Sequence, residues 1–331
     1  MTASTLPGYD LPKILEQYKS EGYVILDHVV PESSLDELRK ASEQVVELTR
    51  SGGWPHRRVV GKAFPPFDKE NRDSWGVQHL MNPRLPNARL FSEFYSSSPL
   101  LEIASALLEA PMERMQMELF NLLINPSDHY FALAWHRDDV KPELDEEEER
   151  KRLATPTFGV QFNTALYDDD CLFVVPGTHS RVRDGAEREA NMAKAPPAVT
   201  RQEVEESKGE GKPSAAFDGN WQVDPPTTLR VSLKAGQTVF YSQRILHRAS
   251  YLPTKVRATL HGCYGDSGEP GDGNNLSGGE RARNILQHGV EWMREDDFGA
   301  SLPERLKPMW ENLIRMDKEW SSKNLGYSLD G

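Results

Sequence analysis

The sequence predicts a mainly β protein, a barrel or a sandwich, flanked by helices. From Met115 onward the chain contains many short runs rich in apolar, β-branched and aromatic residues, which is typical of strands. The segments before and after these runs have the spacing of amphipathic helices. A hydrophobic fraction of 37% in 331 residues is enough for one substantial core, so we expect a single domain over residues 1–331.

The N-terminal part, residues 1–114, is predicted to contain helices and loops. A helix over 10–20 precedes a strand at Gly22–Leu26, and a second helix runs from the Ser33-Ser34 pair to Arg50. Residues 54–86 are expected to be irregular, and a further helix is expected around 98–109.

The β core is predicted over residues 115–265. Its expected strands lie at 115–124, 129–136, 157–167, 171–177, 229–234, 237–242 and 255–265. Residues 182–226 interrupt it with a polar stretch of little periodicity, which we interpret as a surface insertion. The C-terminal part, residues 266–331, is predicted to form amphipathic helices near 279–295 and 303–321 that pack on the outside.

Charge and cysteine content narrow the function classes. A net charge of −12 disfavours nucleic acid and anionic membranes as partners. Only Cys171 and Cys263 are present, each in an apolar run, so neither a disulfide framework nor a four-cysteine zinc site is expected. With no signal segment or membrane span apparent, the sequence predicts a cytosolic monomer or homodimer.

One apparent motif is misleading. His136-Arg137-Asp138 and Asp297-Phe298-Gly299 resemble two elements of protein kinases. Those elements should lie close together in sequence, whereas here they are far apart, and no Gly-rich phosphate loop precedes them. We therefore reject the kinase interpretation.

A metal site is the stronger hypothesis. His136 and Asp138 are two residues apart on a predicted strand and would project from the same face, and His247 follows at the end of a later β run. Two histidines and one carboxylate leave positions open on an octahedral metal, which is the arrangement of non-haem Fe(II) oxygenases.

A candidate anion site follows the last of these histidines. Arg257 and Thr259 would share one face of the next predicted strand, with the bulky apolar residues on the other face. A guanidinium beside a hydroxyl is suited to bind the distal carboxylate of a dicarboxylate through charge-assisted hydrogen bonds.

In these segments the sequence resembles the phytanoyl-CoA dioxygenase-like family of Fe(II)/2-oxoglutarate oxygenases. The matching pieces are WHRDD (135–139), CLFVVPGTHSR (171–181), GQTVFYSQRILHR (236–248) and VRATLHGCYG (256–265). The resemblance covers about residues 22–265. It implies a double-stranded β-helix, that is, a cupin-like jelly-roll barrel with helices outside. It also implies that His136, Asp138 and His247 hold iron at one mouth of the barrel, and that Arg257 and Thr259 bind 2-oxoglutarate.

The chain departs from the family pattern at two places. Asp168-Asp169-Asp170 replaces a frequent Glu-Asn-Gly, and Leu133 occupies a position where many relatives have a glutamine that contacts 2-oxoglutarate. The candidates for replacing that contact are Asn163, Thr164 and Gln116.

The implied activity is oxidation, most simply hydroxylation, of a C–H bond, while 2-oxoglutarate and O2 are converted to succinate and CO2. Asp138, in place of a small residue, favours this over halogenation. The resemblance also allows stimulation by ascorbate. The alternative is a non-catalytic jelly-roll module that binds a metal or ligand.

The expected substrate is a small, largely apolar molecule of secondary metabolism. Coenzyme A esters fit an acidic protein poorly, since Arg181 and Arg183 form the one basic patch that could receive them. Three further features are most simply structural. The first two, a histidine and a set of aromatic and histidine residues, could also line the pocket or cover its mouth, and the third has no expected role in catalysis. They are His261, the aromatic and histidine-rich set Trp54, His56, Phe64, Trp75 and His79, and the acidic run 146–149, which is expected to be solvated.

Overall fold

The computed structural model of the protein describes residues 6–62, 70–71, 73–207, 215–219, 221–268 and 276–326. The α-helices are α1 (Leu11–Glu21), α2 (Glu32–Arg50), α3 (Ala88–Tyr95), α4 (Ser98–Leu108), α5 (Glu146–Ala154), α6 (Gly185–Met192), α7 (Arg201–Glu206), α8 (Leu276–Ile285), α9 (Asp296–Ser301) and α10 (Lys307–Trp320). The strands are β1 (Tyr23–Leu26), β2 (Arg57–Val59), β3 (Ser74–Val77), β4 (Met115–Ile124), β5 (His129–Ala132), β6 (Gly159–Ala165), β7 (Asp169–Val175), β8 (Val199–Thr200), β9 (Leu229–Leu233), β10 (Thr238–Ser242), β11 (Leu246–Tyr251) and β12 (Ala258–Asp266).

The strands form two antiparallel sheets that face each other. The larger sheet has seven strands in the order β1-β10-β6-β12-β4-β3-β2, and the smaller has five in the order β8-β5-β11-β7-β9. Neighbours in both sheets are mostly distant in sequence, as in a jelly roll. The predicted fold class, mainly β with flanking helices, is confirmed.

The outer face of the larger sheet carries the main core. Phe120, Phe162 and Tyr264 project from its three central strands and pack with Tyr95 of α3. The apolar face of α2 and the C-terminal helices extend the same core. The inner face is thereby left for the site between the sheets.

The N-terminal helix begins and ends where the sequence signals indicated. The Asp10 side chain accepts a hydrogen bond from the backbone N–H of Lys13, which caps the first turn. Gly22 ends α1 in a left-handed conformation with a φ of 81°, which glycine adopts without steric cost. The chain then enters β1, which pairs with β10.

The prediction that residues 54–86 are irregular is wrong. This segment contains β2 and β3, which extend the larger sheet beyond β4, and α3 follows it. The two strands are three and four residues long and include a glycine and two arginines, so they lack the alternation by which strands are recognised. Pairing with β4, at Gly76 opposite Leu123, holds them in place.

The β run that ends at His247 is two strands, not one. β10 and β11 are separated by Gln243, Arg244 and Ile245, and they lie in different sheets. His247 is the second residue of β11 and not the end of the preceding strand.

The insertion and the acidic run are less exposed than predicted. Phe217 and Trp221 of the insertion are buried, and Trp221 packs with Trp135 and Phe173. The acidic run starts α5, and its last residue, Glu149, is fully buried.

The C-terminal helices pack on the larger sheet as expected, and they also reach the space between the sheets. Asn312 of α10 donates hydrogen bonds to the carbonyl of Met115, at the start of β4, and to that of Glu113. Ile285 and His288 line the inner cavity described below. Within the described residues, no helix is long and apolar enough to cross a lipid bilayer.

Candidate functional site

A cavity of about 290 Å³ lies between the two sheets. Side chains of β4, β6 and β12 line it from the larger sheet, and side chains of β7 and β11 line it from the smaller one. The end of α8 and the turn after it close one side. A largely apolar cavity with a few polar groups at defined points is the usual form of a small-molecule site.

Three metal-ligand side chains meet at one wall of this cavity. One donor atom from each of His136, Asp138 and His247 lies within 4.8 Å of the other two. Nε2 of His136 is 3.5 Å from Oδ1 of Asp138, and Nε2 of His247 is 3.9 Å from the same oxygen. Two imidazole nitrogens and one carboxylate, grouped this closely and open to a cavity, suit a single Fe(II) ion.

Hydrogen bonds fix both rings with Nε2 facing this cluster. Nδ1 of His136 is 2.8 Å from the carbonyl of Ala134, and Nδ1 of His247 is 2.8 Å from the carbonyl of Ile245. A carbonyl only accepts, so each Nδ1 carries the proton and each Nε2 keeps its lone pair. Burial, and next the neighbouring His136, lowers the pKa of His247 to about 4, so its ring is neutral near pH 7.

The backbone that holds these residues is not the strand that the sequence predicted. β5 ends at Ala132, and His136 pairs with His247 only through an isolated bridge with N–H···O distances of 2.9 and 3.0 Å. Asp138 lies in the following turn, where its N–H donates to the carbonyl of Gln243 at 3.0 Å. His136 and Asp138 still face the same side, because that turn brings the carboxylate back toward the ring.

Gln161 of β6 completes the surroundings of Asp138. Its amide donates to Oδ2 of Asp138, so Oδ1 is the oxygen that faces both histidines. Gln161 also accepts a hydrogen bond of 3.4 Å from the hydroxyl of Tyr241. Nothing in the sequence near Gln161 indicated this role, because pairing of distant strands brings it to the site.

Arg137 and Asp139, which are next to the ligand candidates in sequence, point away from the cavity and form buried ion pairs. Arg137 donates to Glu149 at 2.6 Å, and both side chains are fully buried. Asp139 accepts from Arg244 and from Arg152 of α5. The His136–Asp139 turn is therefore held from behind by charged groups that do not reach the cavity.

The structure brings Arg257 and Thr259 together through a third residue, Asp169. Nε of Arg257 donates to Oδ2 of Asp169 at 2.8 Å, and the hydroxyl of Thr259 donates to the same oxygen. Burial alone would raise the pKa of Asp169, but the charge of Arg257 and the bonds from Thr259 and Arg257 lower it below its ordinary value. Nη1 of Arg257 is buried without a hydrogen-bond partner among the described residues, and Arg257 lines the cavity.

Of the three residues predicted as candidates to replace the missing glutamine contact to 2-oxoglutarate, one lines the cavity and two do not. Asn163 lines the cavity, and its Oδ1 is 2.8 Å from Nδ1 of His261. Thr164 instead bonds Thr238 at 2.7 Å, and Gln116 bonds Glu118 at 3.2 Å. Neither of these two is among the described residues that line the cavity.

Of the other residues singled out in the sequence, Trp75 and His261 line the cavity. The His56 ring packs against Trp54 in a tilted arrangement and edge-on against His79, and Trp292 packs edge-on against His79. This ring cluster does not line the cavity within the part of the chain that the structure describes, and Phe64 lies outside that part.

The proposed basic patch is not available for an anionic ligand. Arg181 is bound to Glu187, and Arg183 is fully buried against Glu149 and Asn191. Both charges are therefore offset within the protein.

Sequence comparison identifies one matching family. The sequence model of the phytanoyl-CoA dioxygenase (PhyH) family matches residues 18–255, which is most of the chain. No curated protein sequence is significantly similar to the chain.

Several solved structures share the fold at low sequence identity. AviO1 from Streptomyces viridochromogenes Tue57 is 16% identical, with a TM-score of 0.52 over 80% of this chain and 99% of its own. EctD from S. alaskensis, crystallised with 2-oxoglutarate and 5-hydroxyectoine, is 13% identical, with a TM-score of 0.50 over 80% of both chains. EvdMO1 is 15% identical, with a TM-score of 0.50 over 77% of this chain and 50% of its own.

Proposed function

Since this chain belongs to the phytanoyl-CoA dioxygenase family, we propose that it oxidises, most simply by hydroxylation, a C–H bond of a small organic metabolite. Its class is that of a non-haem iron, 2-oxoglutarate-dependent dioxygenase. We assign the iron to His136, Asp138 and His247, and the distal carboxylate of 2-oxoglutarate to Arg257, with Thr259 nearby. When bound, these cofactors supply the oxidation, in which 2-oxoglutarate and O2 are converted to succinate and CO2.

One observation carries the proposal: His136, Asp138 and His247 line the same cavity as Arg257, whose buried Nη1 has no hydrogen-bond partner among the described residues. A buried guanidinium nitrogen without an acceptor is costly, and a ligand carboxylate would satisfy it. EctD, which has the same fold, binds 2-oxoglutarate in its crystal structure, which supports the same cosubstrate here. A protein that only bound a ligand would have no chemical need for this complete set.

The chain's own residues act here by placement. The carbonyls behind His136 and His247 keep Nε2 of each ring available for a metal, and Gln161 turns Oδ1 of Asp138 toward it. Asp169 orients Arg257 by holding its Nε, which leaves Nη1 for a ligand. Leu119, Leu172, Ala249 and Ile285 are among the apolar residues that limit water around the reacting groups.

The cavity restricts the substrate. Its volume of about 290 Å³ lies at the lower end of the range for small-molecule sites, and the cosubstrate must occupy part of it. An acyl-coenzyme A ester is disfavoured, because both arginines of the expected basic patch are already paired. We therefore propose a compact, largely apolar metabolite of secondary metabolism.

The remaining features of the proposal rest on the sequence. We propose that the chain is a single domain and acts in the cytosol as a monomer or homodimer. Its net charge of −12 disfavours nucleic acid and anionic membranes as partners.

Anaerobic titration with Fe(II) and then 2-oxoglutarate tests the function. We expect a weak visible metal-to-ligand charge-transfer band that requires both additions. His136→Ala should lose iron binding. His28→Ala should keep it, because His28 is exposed and is not one of the proposed metal ligands. Arg257→Lys keeps a charge beside Asp169 but lacks the planar fork, so it should bind iron and weaken 2-oxoglutarate about 10- to 100-fold.

The same titration distinguishes the alternative. If the folded wild-type protein gave no band at micromolar iron, the enzyme assignment would be overturned, and a ligand-binding module would be the better description.

A further inference from the structure

The cavity contains a second arginine, Arg58, which no sequence motif indicated. Arg58 is the middle residue of β2, and its side chain lines the cavity. Among the described residues it has no hydrogen bond and no carboxylate within salt-bridge distance, and its Nε is buried without a partner. Its guanidinium lies over the ring of Trp75, with Cζ 5.2 Å from the ring centroid.

The sheet fixes Arg58 in this direction. Arg58 pairs with Gly76 on β3, and a Cβ atom at Gly76 would lie 3.3 Å from Cβ of Arg58, so the glycine makes room for the arginine stem. The neighbouring Arg57 points to the opposite side, where it donates to the carbonyls of Thr49 and Asn71. Arg58 is thus directed into the cavity by strand pairing.

Among the residues that the structure describes, the positive charge of Arg58 has no counter-ion of its own. The other cavity arginine, Arg257, is offset by Asp169 at 2.8 Å. Among the described residues that line the cavity, the carboxylate is that of Asp138, which the proposed function assigns to iron. A buried guanidinium without a partner is expensive, so its presence in a cavity indicates that a ligand supplies the anion.

We propose that Arg58 is a second 2-oxoglutarate-binding residue, whose guanidinium donates hydrogen bonds to one of the two carboxylates of the cosubstrate. This inference rests on the proposed function. 2-Oxoglutarate carries two negative charges; the Arg257–Asp169 pair is neutral overall, and Fe(II) with the Asp138 carboxylate would offset only one of those charges. Arg58 supplies the missing positive charge inside the cavity.

The position of Arg58 relative to both ends of the site supports this assignment. Arg58, Tyr251 and Asp138 all line the same cavity. Tyr251 packs beside Arg257, at 4.9 Å from its Cζ, and Asp138 belongs to the proposed metal site. Arg58 therefore shares the cavity with both ends of a ligand that would extend from Arg257 to the metal. The amide donor of Gln161 is engaged by Asp138, and Asn163 accepts from the His261 ring through its Oδ1.

The test compares Arg58→Gln and Arg58→Lys with wild type in anaerobic titrations of the Fe(II)-loaded protein. Two probes are used: 2-oxoglutarate, and 2-oxopentanoate, which has the keto-acid end but no distal carboxylate. Affinity is read from the charge-transfer band and, independently, from calorimetry. Arg150→Gln, which removes a charge that is exposed on α5, is the matched control.

We expect Arg58→Gln to weaken 2-oxoglutarate about 10- to 100-fold and Arg58→Lys to weaken it less, with Arg150→Gln unchanged. Loss for 2-oxoglutarate alone would place Arg58 on the distal carboxylate, and loss for both probes would place it on the keto-acid end. Without metal and cosubstrate, Arg58→Gln should melt no lower than wild type, because it removes a buried charge that has no partner.

Two failures can be told apart. A wild-type protein that gives no band overturns the proposed function itself. A wild-type band with an unchanged 2-oxoglutarate affinity in Arg58→Gln overturns the inference alone, and would leave a carboxylate of the primary substrate as the counter-ion of Arg58.

Discussion

At the scale of single residues, the buried histidines around the site are kept neutral. Burial, followed by nearby positive groups that include Arg58, lowers the pKa values of His79, His261 and His288 to about 3. In an unfolded chain a histidine binds a proton near pH 6.5. Each of these residues therefore contributes stability that is complete above pH 6.5 and is lost as the pH falls from there toward 3.

His79 allows a test of this pH dependence away from the proposed ligands. It has a φ of 65°, a left-handed conformation that asparagine also tolerates, so His79→Asn removes the titrating group without backbone strain. We expect the unfolding free energy of the metal-free variant to fall less steeply between pH 6.5 and 4, by up to about 1.4 kcal/mol per pH unit. Urea denaturation at several pH values measures it.

His28→Asn is the matched control, because His28 is exposed and has a φ of 56°. It should keep the wild-type slope. An equal slope in His79→Asn and wild type would show that His79 does not titrate as a buried neutral residue.

Residue spacing predicted part of the site and could not predict the rest. His136 and Asp138 are two residues apart, and Arg257 and Thr259 are likewise two apart, so local periodicity could group each pair. Asp169, Gln161 and Arg58 lie on three other strands, and only sheet pairing brings Gln161 and Arg58 to the cavity and Asp169 to Arg257. No local pattern distinguishes them from other polar residues of a strand.

At the scale of elements, the turn that carries His136 and Asp138 is fixed by α5. Glu149 of this helix accepts hydrogen bonds from Arg137, Arg183 and Arg188. The helix itself starts with a capping box, in which Asp145 accepts from the N–H of Glu148. The composition of α5 is that of a surface helix, but its one buried carboxylate, that of Glu149, positions the turn that carries the proposed metal ligands.

Glu149→Gln removes the charge at the centre of this network and keeps its shape. It leaves Arg137 and Arg183 buried without a counter-ion, so we expect a loss of about 3–5 kcal/mol in the free energy of unfolding. The loosened turn should also weaken Fe(II) binding about 10- to 100-fold. Urea denaturation and anaerobic Fe(II) titration measure the two effects.

Glu147→Gln on the same helix is the control. Its side chain is 77% exposed and pairs only with Lys151, so its stability should stay within about 0.5 kcal/mol of wild type. Similar results for both substitutions would contradict a positioning role for Glu149.

Elements with a clear apolar pattern were predictable from sequence, including the short strands β1 and β10, whereas β2 and β3 were not. β4 matches its predicted bounds because ten consecutive residues are buried on both faces of the sheet, and α2 follows its apolar stripe. β2, β3 and β11 are held by their neighbours in the sheets more than by their own composition. The same holds for Glu149, whose burial depends on arginines far away in sequence.

At the scale of the whole molecule, one buried arginine joins the C-terminal helices to the site. Arg281 of α8 is fully buried and donates to both carboxylate oxygens of Glu118 on β4. It also donates to the side chain of Gln243, at 2.8 Å, and the Gln243 carbonyl accepts from the N–H of Asp138. The helices that were predicted to pack outside thus contact the turn that supports the proposed metal site.

Gly159, at the start of β6, tests this connection. A Cβ atom there would overlap the Arg281 guanidinium, which cannot move aside because Glu118 and Gln243 hold it. Gly159→Ala should therefore lower the free energy of unfolding by at least about 1–3 kcal/mol, as overpacking does in other cores. It should also raise the Fe(II) dissociation constant, because displacement of Arg281 disturbs Gln243.

Gly185→Ala is the control for Gly159→Ala, since a Cβ atom at Gly185, the first residue of α6, meets nothing within 4 Å. There alanine should leave the free energy of unfolding unchanged or raise it by up to about 1 kcal/mol. If both alanine variants were as stable as wild type, Arg281 would have room to move. The C-terminal helices would then be a cover over the cavity and not a support for the metal site.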